Sequence, residues 1–564
     1  MSSSPVVSSS LHARTAPPPN VDFSGLERLS LNERKCALVD RELDAQGMGR
    51  YQWYVWCLCG FGYLLDLLWA QAFGLVLGPL QQELGFTNRQ SGNISTSFNA
   101  GLTAGALFWG FMSDIVGRRW AFNLTCLQSS VFGLCLGLAN EYNTFLVLTA
   151  FVGFGVGGNI PVDGAIFLEF VPKSRRFLLA CLSIFQPAGV IICSALAFAF
   201  IPSYSCSPNF AEPTALQSCR TSAPGETCCS RSDNMGWRYL LFTLGALTLF
   251  VFFMRTLIFT CQETPKFLIY RGQDAKAIQT MAYVAKTNNT QCGLTLDVFD
   301  FLQSQHDYEQ VRSELSPLYT DKRKVSPANY NKRLRHWLGR FKVLFNSTHM
   351  TALTILTWLT YILDFGGFTI AGFFLPRILA LKNGAASISI EHTYASYIYC
   401  YAPGIVAVLL GAFASRVPAI GQKWTMVFSS TLMGASIFLL SQVDTPAKNE
   451  GLFALEYFFQ SMFNAVLYGW TPQAFPAPIR GTACGIASFW GRLFGIVSPL
   501  IAQSLYGRSE GSGDVNGVLY LAGGMTMGCA LTTALLPSRI MEDSSDERNV
   551  SAEPSDDRNV SAAP

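Results

Sequence analysis

Charge is scarce in this sequence. Only 14% of its 564 residues are Asp, Glu, Lys or Arg, and the net charge is +3, whereas a soluble protein carries roughly a quarter charged residues. The deficit is typical of a membrane protein, and so small a net charge does not suggest a nucleic-acid partner. The five histidines lack metal-ligand spacing, which predicts no metal site. No GxxxxGKS or GxxxxGKT pattern is present, so we expect no nucleotide or other cofactor.

Long apolar runs are what the sequence has instead. Half of the residues (50%) are hydrophobic, and the mean hydropathy is +0.28. Runs of about 20 apolar residues are long enough to cross a bilayer as helices. Twelve such runs predict an all-α polytopic membrane protein with twelve transmembrane helices. The sequence shows no nucleophile–base pattern, so we do not expect an enzyme. The runs lie at 54–77, 93–113, 120–139, 145–168, 178–202, 238–260, 351–375, 394–415, 424–442, 453–474, 482–504 and 516–536.

Polar segments divide the chain into five parts. Residues 1–50 are rich in Ser and Pro, then charged, and predict a disordered tail. Lys and Arg crowd both ends of a central polar segment, which places it and both termini in the cytoplasm, with the protein in the plasma membrane. The remaining parts are a first six-helix half at 51–262, the central cytoplasmic loop at 263–349, a second six-helix half at 350–537 and an acidic disordered tail at 538–564.

The loop at 203–236 is then expected outside the cell or in a lumen. It carries four cysteines, Cys206, Cys219, Cys228 and Cys229. Because such a compartment is oxidising, one or two disulfides are predicted, and the spacing does not reveal which cysteines pair. Four free cysteines are the alternative.

An internal repeat relates the two halves. Three matches in chain order argue for two homologous, pseudo-symmetric six-helix bundles. Duplicated bundles of this kind place a solute site near the middle of the membrane, between the halves. The matches are "YLLD" at 63–66 with "YILD" at 361–364, Gly110 with Gly411, and Pro172 with Pro476, at separations of 298, 301 and 304 residues.

The stretch "GFMSDIVGRR" at 110–119 joins the second and third predicted spans. Its glycines allow a tight turn, and its arginines anchor that turn at the cytoplasmic face. The stretch resembles the signature between helices 2 and 3 of the major facilitator superfamily, which holds the two halves together on the cytoplasmic side. The resemblance assigns a gating role to Asp114, although Ile115 stands where the family usually has a basic residue. The matching residues are Gly110, Asp114, Gly117, Arg118 and Arg119.

Further motifs narrow the branch of that family. "QETPKFL" at 262–268 is similar to the motif after helix 6 of sugar-porter-like members. "GGNIPVDGAIFLEFVP" at 157–172 and "PAPIRGTACG" at 476–485 resemble helix 4 and helices 10–11 of organic-ion and synaptic-vesicle-glycoprotein-like members, including fungal ones. The resemblance adds Arg480 to the expected gating residues. It leaves the solute open, because these branches carry sugars, phosphate, carboxylates, aromatic acids, organic cations and toxins.

Three of the charged residues within the predicted spans are the main candidates for a site. Asp66 and Asp364 occupy equivalent places in the repeat, and Arg492 lies in the middle of the eleventh run. A charge in a bilayer is costly unless it is paired or hydrated, so two equivalent acids predict a shared central cavity. We hypothesise that one acid takes up a proton and frees Arg492 to bind an anionic solute. The alternative is a set of buried ion pairs that only hold helices together.

The fourth predicted span carries two further polar candidates. Asn159 and Asp163 are four residues apart, so they share one face of a helix and are predicted to bind solute or protons. By family likeness, Asp163 and Glu169 would form a gating network with Arg175 or Arg176. A polar cap at the membrane interface is the alternative for Asp163 and Glu169.

Aromatic residues in the spans are candidates for lining a solute pocket by stacking. Ordinary helix packing is the alternative for each of them. The candidates are Trp69, Phe365, Phe368, Tyr468 and Trp470, with Asn464 and Gln473 as weaker polar ones.

The sequence therefore predicts a secondary transporter that works by alternating access. We expect it to move a small organic solute, an anion such as a carboxylate, coupled to protons, as a monomer in the lipid bilayer. The alternatives are an efflux carrier for a toxin or secondary metabolite, and a nutrient sensor built on the same fold that does not transport.

Overall fold

The computed structural model describes residues 23, 24, 26, 29–212, 214–223, 225–259, 261–314, 344–415, 417, 421–443, 445–475, 480–508 and 516–537. Regular structure in these residues is helical throughout, apart from one isolated bridge between Ser218 and Cys229. The predicted all-α class is confirmed.

The chain divides into two compact units. The first comprises Met1–Pro327 with Gly372–Ile405, and the second comprises Ala328–Ala371 with Val406–Pro564. The segment 372–405 thus packs with the first unit, although it falls in the second predicted half.

Twelve helices precede residue 315. A turn of π-helix, Met254–Ile258, extends the ninth of them. The helices are α1 (Leu31–Gln46), α2 (Arg50–Leu84), α3 (Asn88–Val116), α4 (Arg118–Leu136), α5 (Tyr142–Gly157), α6 (Asn159–Phe170), α7 (Leu178–Cys181), α8 (Phe185–Phe200), α9 (Gly236–Phe253), α10 (Pro265–Tyr270), α11 (Asp274–Thr287) and α12 (Leu296–Glu314).

Seven helices follow in the rest of the described chain. The first of them crosses from the second unit into the first at residue 372. They are α13 (Thr348–Ala385), α14 (Ile390–Tyr401), α15 (Pro403–Ala414), α16 (Gly421–Leu440), α17 (Pro446–Ala474), α18 (Arg480–Arg508) and α19 (Asn516–Ala534).

Each of the twelve predicted spans coincides with one helix or with consecutive helices. Within the described residues, nine helical segments are long and apolar enough to cross a membrane by composition. The three other spans are α3, α4 and α17, which have 29, 19 and 29 residues. At a rise of about 1.5 Å per residue these three also suffice for a hydrocarbon core of about 30 Å.

Small residues let the membrane helices approach closely. Gly101 and Gly105 of α3 face α5, where an added Cβ would overlap the carbonyl oxygens of Ala150 and Phe154. Glycines four residues apart are a common contact between membrane helices, because they bring the two backbones together.

The prediction of a disordered tail over 1–50 is wrong for residues 31–46, which form α1. Ser30 begins the helix with a capping box, in which its backbone N–H and its hydroxyl donate to Glu33 Oε2 at 2.9 and 2.8 Å. These two hydrogen bonds, the backbone one foremost, lower the pKa of Glu33. The helix buries Leu38, Val39 and Leu43, so it is held by packing and not only by its own sequence.

The predicted central loop is also helical where it is described, and it supplies the partner surface for α1. Leu268 of α10, Met281 of α11 and Phe299 of α12 are buried in one apolar cluster with α1. Two ion pairs join the same elements, Lys35 with Asp274 at 2.5 Å and Lys266 with Asp40 at 2.6 Å. We call α1 and α10–α12 together the α1 subdomain.

Candidate transport site and gates

A buried charged pair joins four of the first six membrane spans. Asp163 of α6 and Arg255 of the π turn after α9 are both 0% exposed, and Arg255 Nη2 lies 2.8 Å from Asp163 Oδ2. Arg255 also donates to the backbone carbonyls of Phe122 and Leu58, each at 2.9 Å. Its guanidinium carbon lies 3.8 Å from the ring centroid of Phe122. Gly62 makes room for the pair, because a Cβ there would overlap Asp163 Oδ2.

Polar atoms beside this pair have no hydrogen-bond partner in the described structure. They are Asp163 Oδ1 and both amide atoms of Asn159, one helical turn away on the same face. Buried polar atoms without protein partners are commonly satisfied by an ordered water. Asn159 and Asp163, both predicted as binding residues, are thus fully buried, and this place suits a proton or a water more than a solute.

Asp364 and Arg492 lie on helix segments of the second unit that pack closely. A Cβ on Gly491 of α18 would lie 2.8 Å from the ring of Phe365 and 3.2 Å from the carbonyl oxygen of Tyr361, both on α13. Asp364 is 1% exposed, and its Oδ1 has no hydrogen-bond partner among the described residues. The half-buried ring of Phe365 stacks on Tyr361, with centroids 6.1 Å apart and planes 15° apart. The predicted acid and base thus come from neighbouring stretches of α13 and α18.

The other predicted binding residues have different surroundings. Asp66 is half-buried on α2 in the first unit, and Tyr468 is half-buried on α17 in the second. The prediction that Trp69 lines a pocket is wrong in this structure. Trp69 is 0% exposed, packs against Gly133, and donates from Nε1 to Thr248 Oγ1 at 3.1 Å. Trp470, at 1% exposed, is also a core residue.

The turn at 117–119 has the tight geometry that the sequence predicts. Gly117 has φ +115°, a conformation that strongly favours glycine. The carboxylate of Glu263 lies at the start of α4 and accepts from the backbone N–H of Arg118 at 3.0 Å and of Arg119 at 3.3 Å. Arg271 donates to the carbonyl of Ile115. Glu263 was not among the predicted site residues, although the "QETPKFL" motif that contains it was singled out.

Two predicted gating contacts are wrong. Glu169 forms an ion pair with Arg118, and Asp163 forms one with Arg255. Arg175 and Arg176 are exposed instead, because the chain turns outward after Pro172. Gly110 lies within α3 with open space beside it, not in the turn. The side chains of Asp114 and Arg480 lie outside the described residues.

Replacing Gly117 by alanine should destabilise the protein by roughly 1–2 kcal/mol, because positive φ is strained for an L residue. The new Cβ would also lie 2.5 Å from Glu263 Oε2. Thermal unfolding in detergent should show a lower midpoint for Gly117→Ala. Gly110→Ala is the matched control and should unfold at or above the wild-type temperature, since Gly110 is helical with free space. Equal midpoints for Gly117→Ala and wild type would contradict the prediction.

Two disulfides brace the loop at 203–236. Cys206 pairs with Cys229, and Cys219 pairs with Cys228. The larger number of the predicted disulfides is therefore present, with a pairing that the sequence left open.

The braced loop contacts both α2 and the end of α13. Gln82 Nε2 donates to the carbonyl of Pro208 at 2.9 Å, and the ring of Phe210 covers Gly78. On the other side the carbonyl oxygen of Ala211 lies against Gly384, where an added Cβ would overlap it.

The segment 372–405, which we call the docking segment, also packs directly on α2. Tyr394 OH donates to the carbonyl of Leu75 at 2.7 Å, and Gln71 Nε2 donates to Tyr401 OH at 2.8 Å. A Cβ on Gly74 would lie 2.8 Å from the carbonyl oxygen of Gly372. Hydrogen bonds and close backbone contact thus hold the docking segment at the end of α2 that carries the braced loop.

Long apolar helices in two repeated sets, with buried charges inside them, define a membrane transport protein. Known proteins agree with this class. Residues 59–356 match the Major Facilitator Superfamily. The chain is 34% identical to "MFS siderochrome iron transporter 1" of Ceriporiopsis subvermispora over 93% of this chain and 94% of that one. The chain belongs to the Major Facilitator Superfamily.

Other relatives and a solved structure support the same family. "Major facilitator-type transporter hxnZ" of Emericella nidulans is 32% identical over 85% of this chain and 84% of that protein. The inward-open structure of the xylose transporter XylE from E. coli is similar with a TM-score of 0.58 at 15% identity, covering 85% of this chain and 95% of that one. At so low an identity the solved structure supports the fold alone.

Proposed function

We propose that this transporter moves a small organic anion, such as a carboxylate, together with protons by alternating access. The observation that carries the proposal is the fully buried Asp163–Arg255 pair, in which Asp163 Oδ1 has no partner in the described structure. A proton-coupled transporter needs a group that takes up and releases a proton within the membrane, and a buried carboxylate is such a group.

The surroundings of the pair support reversible protonation of Asp163. When Asp163 is neutral, Arg255 keeps two backbone acceptors and the face of the Phe122 ring. The cation is therefore not left without contacts when its partner loses its charge. A water held by Asn159 and Asp163 Oδ1 would give a proton a path to the carboxylate.

Stability alone does not account for the Asp163–Arg255 pair. Buried ion pairs contribute little net stability compared with apolar side chains of similar volume.

Arg492 supports the choice of an anionic solute. Its planar guanidinium can hold a carboxylate through two parallel hydrogen bonds, which an ammonium cannot do. Its helix packs on α13 beside Asp364 and Phe365. We propose these residues as the anion-binding part of the second unit, with Asp66 as a further acid in the first.

Orientation and location complete the proposal. The basic residues around the α1 subdomain support a cytoplasmic position for it and for both termini, in the plasma membrane. The docking segment would then close the outer end of α2, and its release would open that end. A monomer is sufficient for this cycle. Efflux and solute sensing are the alternatives. Outward flux of the solute would identify an efflux carrier, and the absence of flux would identify a sensor.

The test is solute flux in liposomes that contain the purified protein. Radiolabelled carboxylates should accumulate only when a pH gradient is imposed, and a protonophore should abolish the accumulation. The matched control is the same liposome preparation without a gradient, where only equilibration is expected. Accumulation that does not depend on the pH gradient would contradict proton coupling. The absence of carboxylate flux in either direction would contradict the proposal that the solute is a small carboxylate.

A second candidate solute comes from one relative. The 34% identity to a protein named as a siderochrome iron transporter extends over 93% of the chain. Ferric siderochromes therefore belong in the same flux assay, labelled with radioactive iron. Uptake of iron in that form, with no flux of simple carboxylates, would favour this candidate over the first.

A further inference from the structure

Helix α17 carries a row of polar side chains that the proposed proton and anion sites do not use. Glu456, Gln460 and Asn464 follow each other at intervals of four residues. At 100° per residue they lie within about 80° of the helix circumference, so they share one face. We call these three side chains the α17 ladder.

Two members of the ladder are buried, Asn464 is half-buried, and the ladder lacks hydrogen-bond partners in the described structure. Glu456 is 4% and Gln460 is 3% exposed. Gln460 Nε2 and Asn464 Oδ1 have no hydrogen-bond partner. Buried amides are nearly always hydrogen-bonded in folded proteins, so these unbonded amides, one turn apart and beside a carboxylate, have room for the hydrogen bonds of an ordered water or a ligand.

The contacts of α17 with α15 and α16 use other faces of the helix. Met462 and Val466 lie against Gly411 of α15, and Phe459 contacts Phe428 of α16 with ring centroids 5.9 Å apart. The face of the ladder also carries Thr471, whose hydroxyl lies 3.0 Å from Tyr361 OH of α13. The ladder thus continues the face of α17 that meets α13, the helix of Asp364.

Glu456 is a carboxylate within a membrane helix and is 4% exposed. A carboxylate in such a place is costly to retain without a role.

We propose that the α17 ladder binds a cationic nitrogen of the transported solute. Glu456 accepts from an ammonium or guanidinium N–H, and the amides of Gln460 and Asn464 complete its hydrogen bonds. This inference rests on the proposed function, because the solute's carboxylate is bound elsewhere in that scheme. The solute class is therefore an amino-carboxylate, with separate groups of opposite charge.

Matched probes test the ladder. Each pair has an ω-amino acid and the carboxylate in which a methyl replaces the ammonium, such as 4-aminobutyrate with pentanoate, across chain lengths from glycine to 6-aminohexanoate. Binding to purified protein is measured by thermal shift, and proton-driven flux is measured in liposomes. We expect at least one amino member to bind about tenfold more tightly than its partner.

The variant Glu456→Gln should remove that preference, because it keeps the size of the side chain and loses its charge. Binding and flux of the plain carboxylate should change less than that of the amino member. Glu141→Gln, at an exposed residue directly before α5, is the control and should keep the preference. Glu456→Gln is folded if it purifies as a monodisperse protein that melts at the wild-type temperature. If it does not fold, Glu456→Asp is measured in its place. Glu456→Asp keeps the charge and should retain part of the preference.

The outcomes separate the two proposals. Proton-driven flux of carboxylates without any preference for an amino partner overturns the ladder and leaves the proposed function standing. An unchanged preference in folded Glu456→Gln also overturns the ladder. Absence of proton-driven flux for every probe, with the amino preference present in binding, contradicts proton coupling and supports the ladder. No preference in binding or flux for any pair overturns the ladder.

Discussion

Replacing Gly384 by alanine is expected to reduce transport about tenfold or more while the protein still reaches the membrane. The added methyl would overlap the carbonyl oxygen of Ala211, which belongs to the loop braced by the Cys206–Cys229 disulfide. A backbone oxygen in a braced loop moves less easily than a flexible side chain, so the docking segment would be lifted from its place. A shift of about 1.4 kcal/mol between two states changes their ratio tenfold. The measurement is the initial rate of solute flux at equal amounts of reconstituted protein.

Gly372→Ala is the matched control for this prediction. Gly372 lies on the same helix, twelve residues earlier, and a Cβ there would meet nothing within 4 Å. Its flux should equal that of wild type. Leu75→Cys supplies a second measurement, because Leu75 is 2% exposed under Tyr394. A membrane-impermeant maleimide should label it faster in the Gly384→Ala background, and full flux with unchanged labelling would show that this contact does not gate transport.

Most of the fold was accessible from the sequence, because the bilayer imposes a length and a hydropathy on each span. All twelve predicted spans coincide with helices, including α3, α4 and α17, whose polar residues lower their hydropathy. The α1 subdomain was not accessible in the same way. Leu38 and Val39 of α1 are buried against Met281 and Phe299, more than 200 residues further along the chain, and no local pattern reveals so distant a partner.

In the candidate site, too, the sequence did not reveal which distant residues contact each other. Asp163 was predicted from its polar character within an apolar run. The predicted partners were Arg175 or Arg176, which are close in sequence, whereas the observed partner Arg255 is 92 residues away. Arg255 and Glu456 are themselves charges within apolar runs, which is the signal that would have found them. Trp69 is an aromatic residue within a span, and such a residue can line a pocket or pack in the core. Its contacts with Gly133 and Thr248 place it in the core, and the sequence does not reveal those contacts.

Removing one charge of the Asp163–Arg255 pair is expected to destabilise the protein more than removing both. Both side chains are 0% exposed, and a buried charge left without its partner costs about 3–5 kcal/mol. That is a large share of the roughly 5–15 kcal/mol by which a protein is typically stable. Arg255→Met should therefore give little monodisperse protein by fluorescence-detected size-exclusion chromatography, because it leaves the carboxylate of Asp163 without its partner. Asp163→Leu should lose less, because Arg255 keeps the carbonyls of Phe122 and Leu58 as acceptors. The double variant should recover much of the yield, because two apolar side chains of similar volume replace the pair.

The recovered double variant then separates stability from transport. If Asp163 carries the proton, the double variant is folded but no longer accumulates solute in response to a pH gradient. Lys266→Met is the control, because its ion pair with Asp40 is partly exposed, at 19% and 20%, and such pairs contribute about 0–1 kcal/mol. It should match wild type in yield and in flux. Proton-driven accumulation by the double variant at the wild-type level would leave the buried pair with a structural role only, and the proton would then be carried by another acid, with Asp364 and Asp66 the next to be replaced.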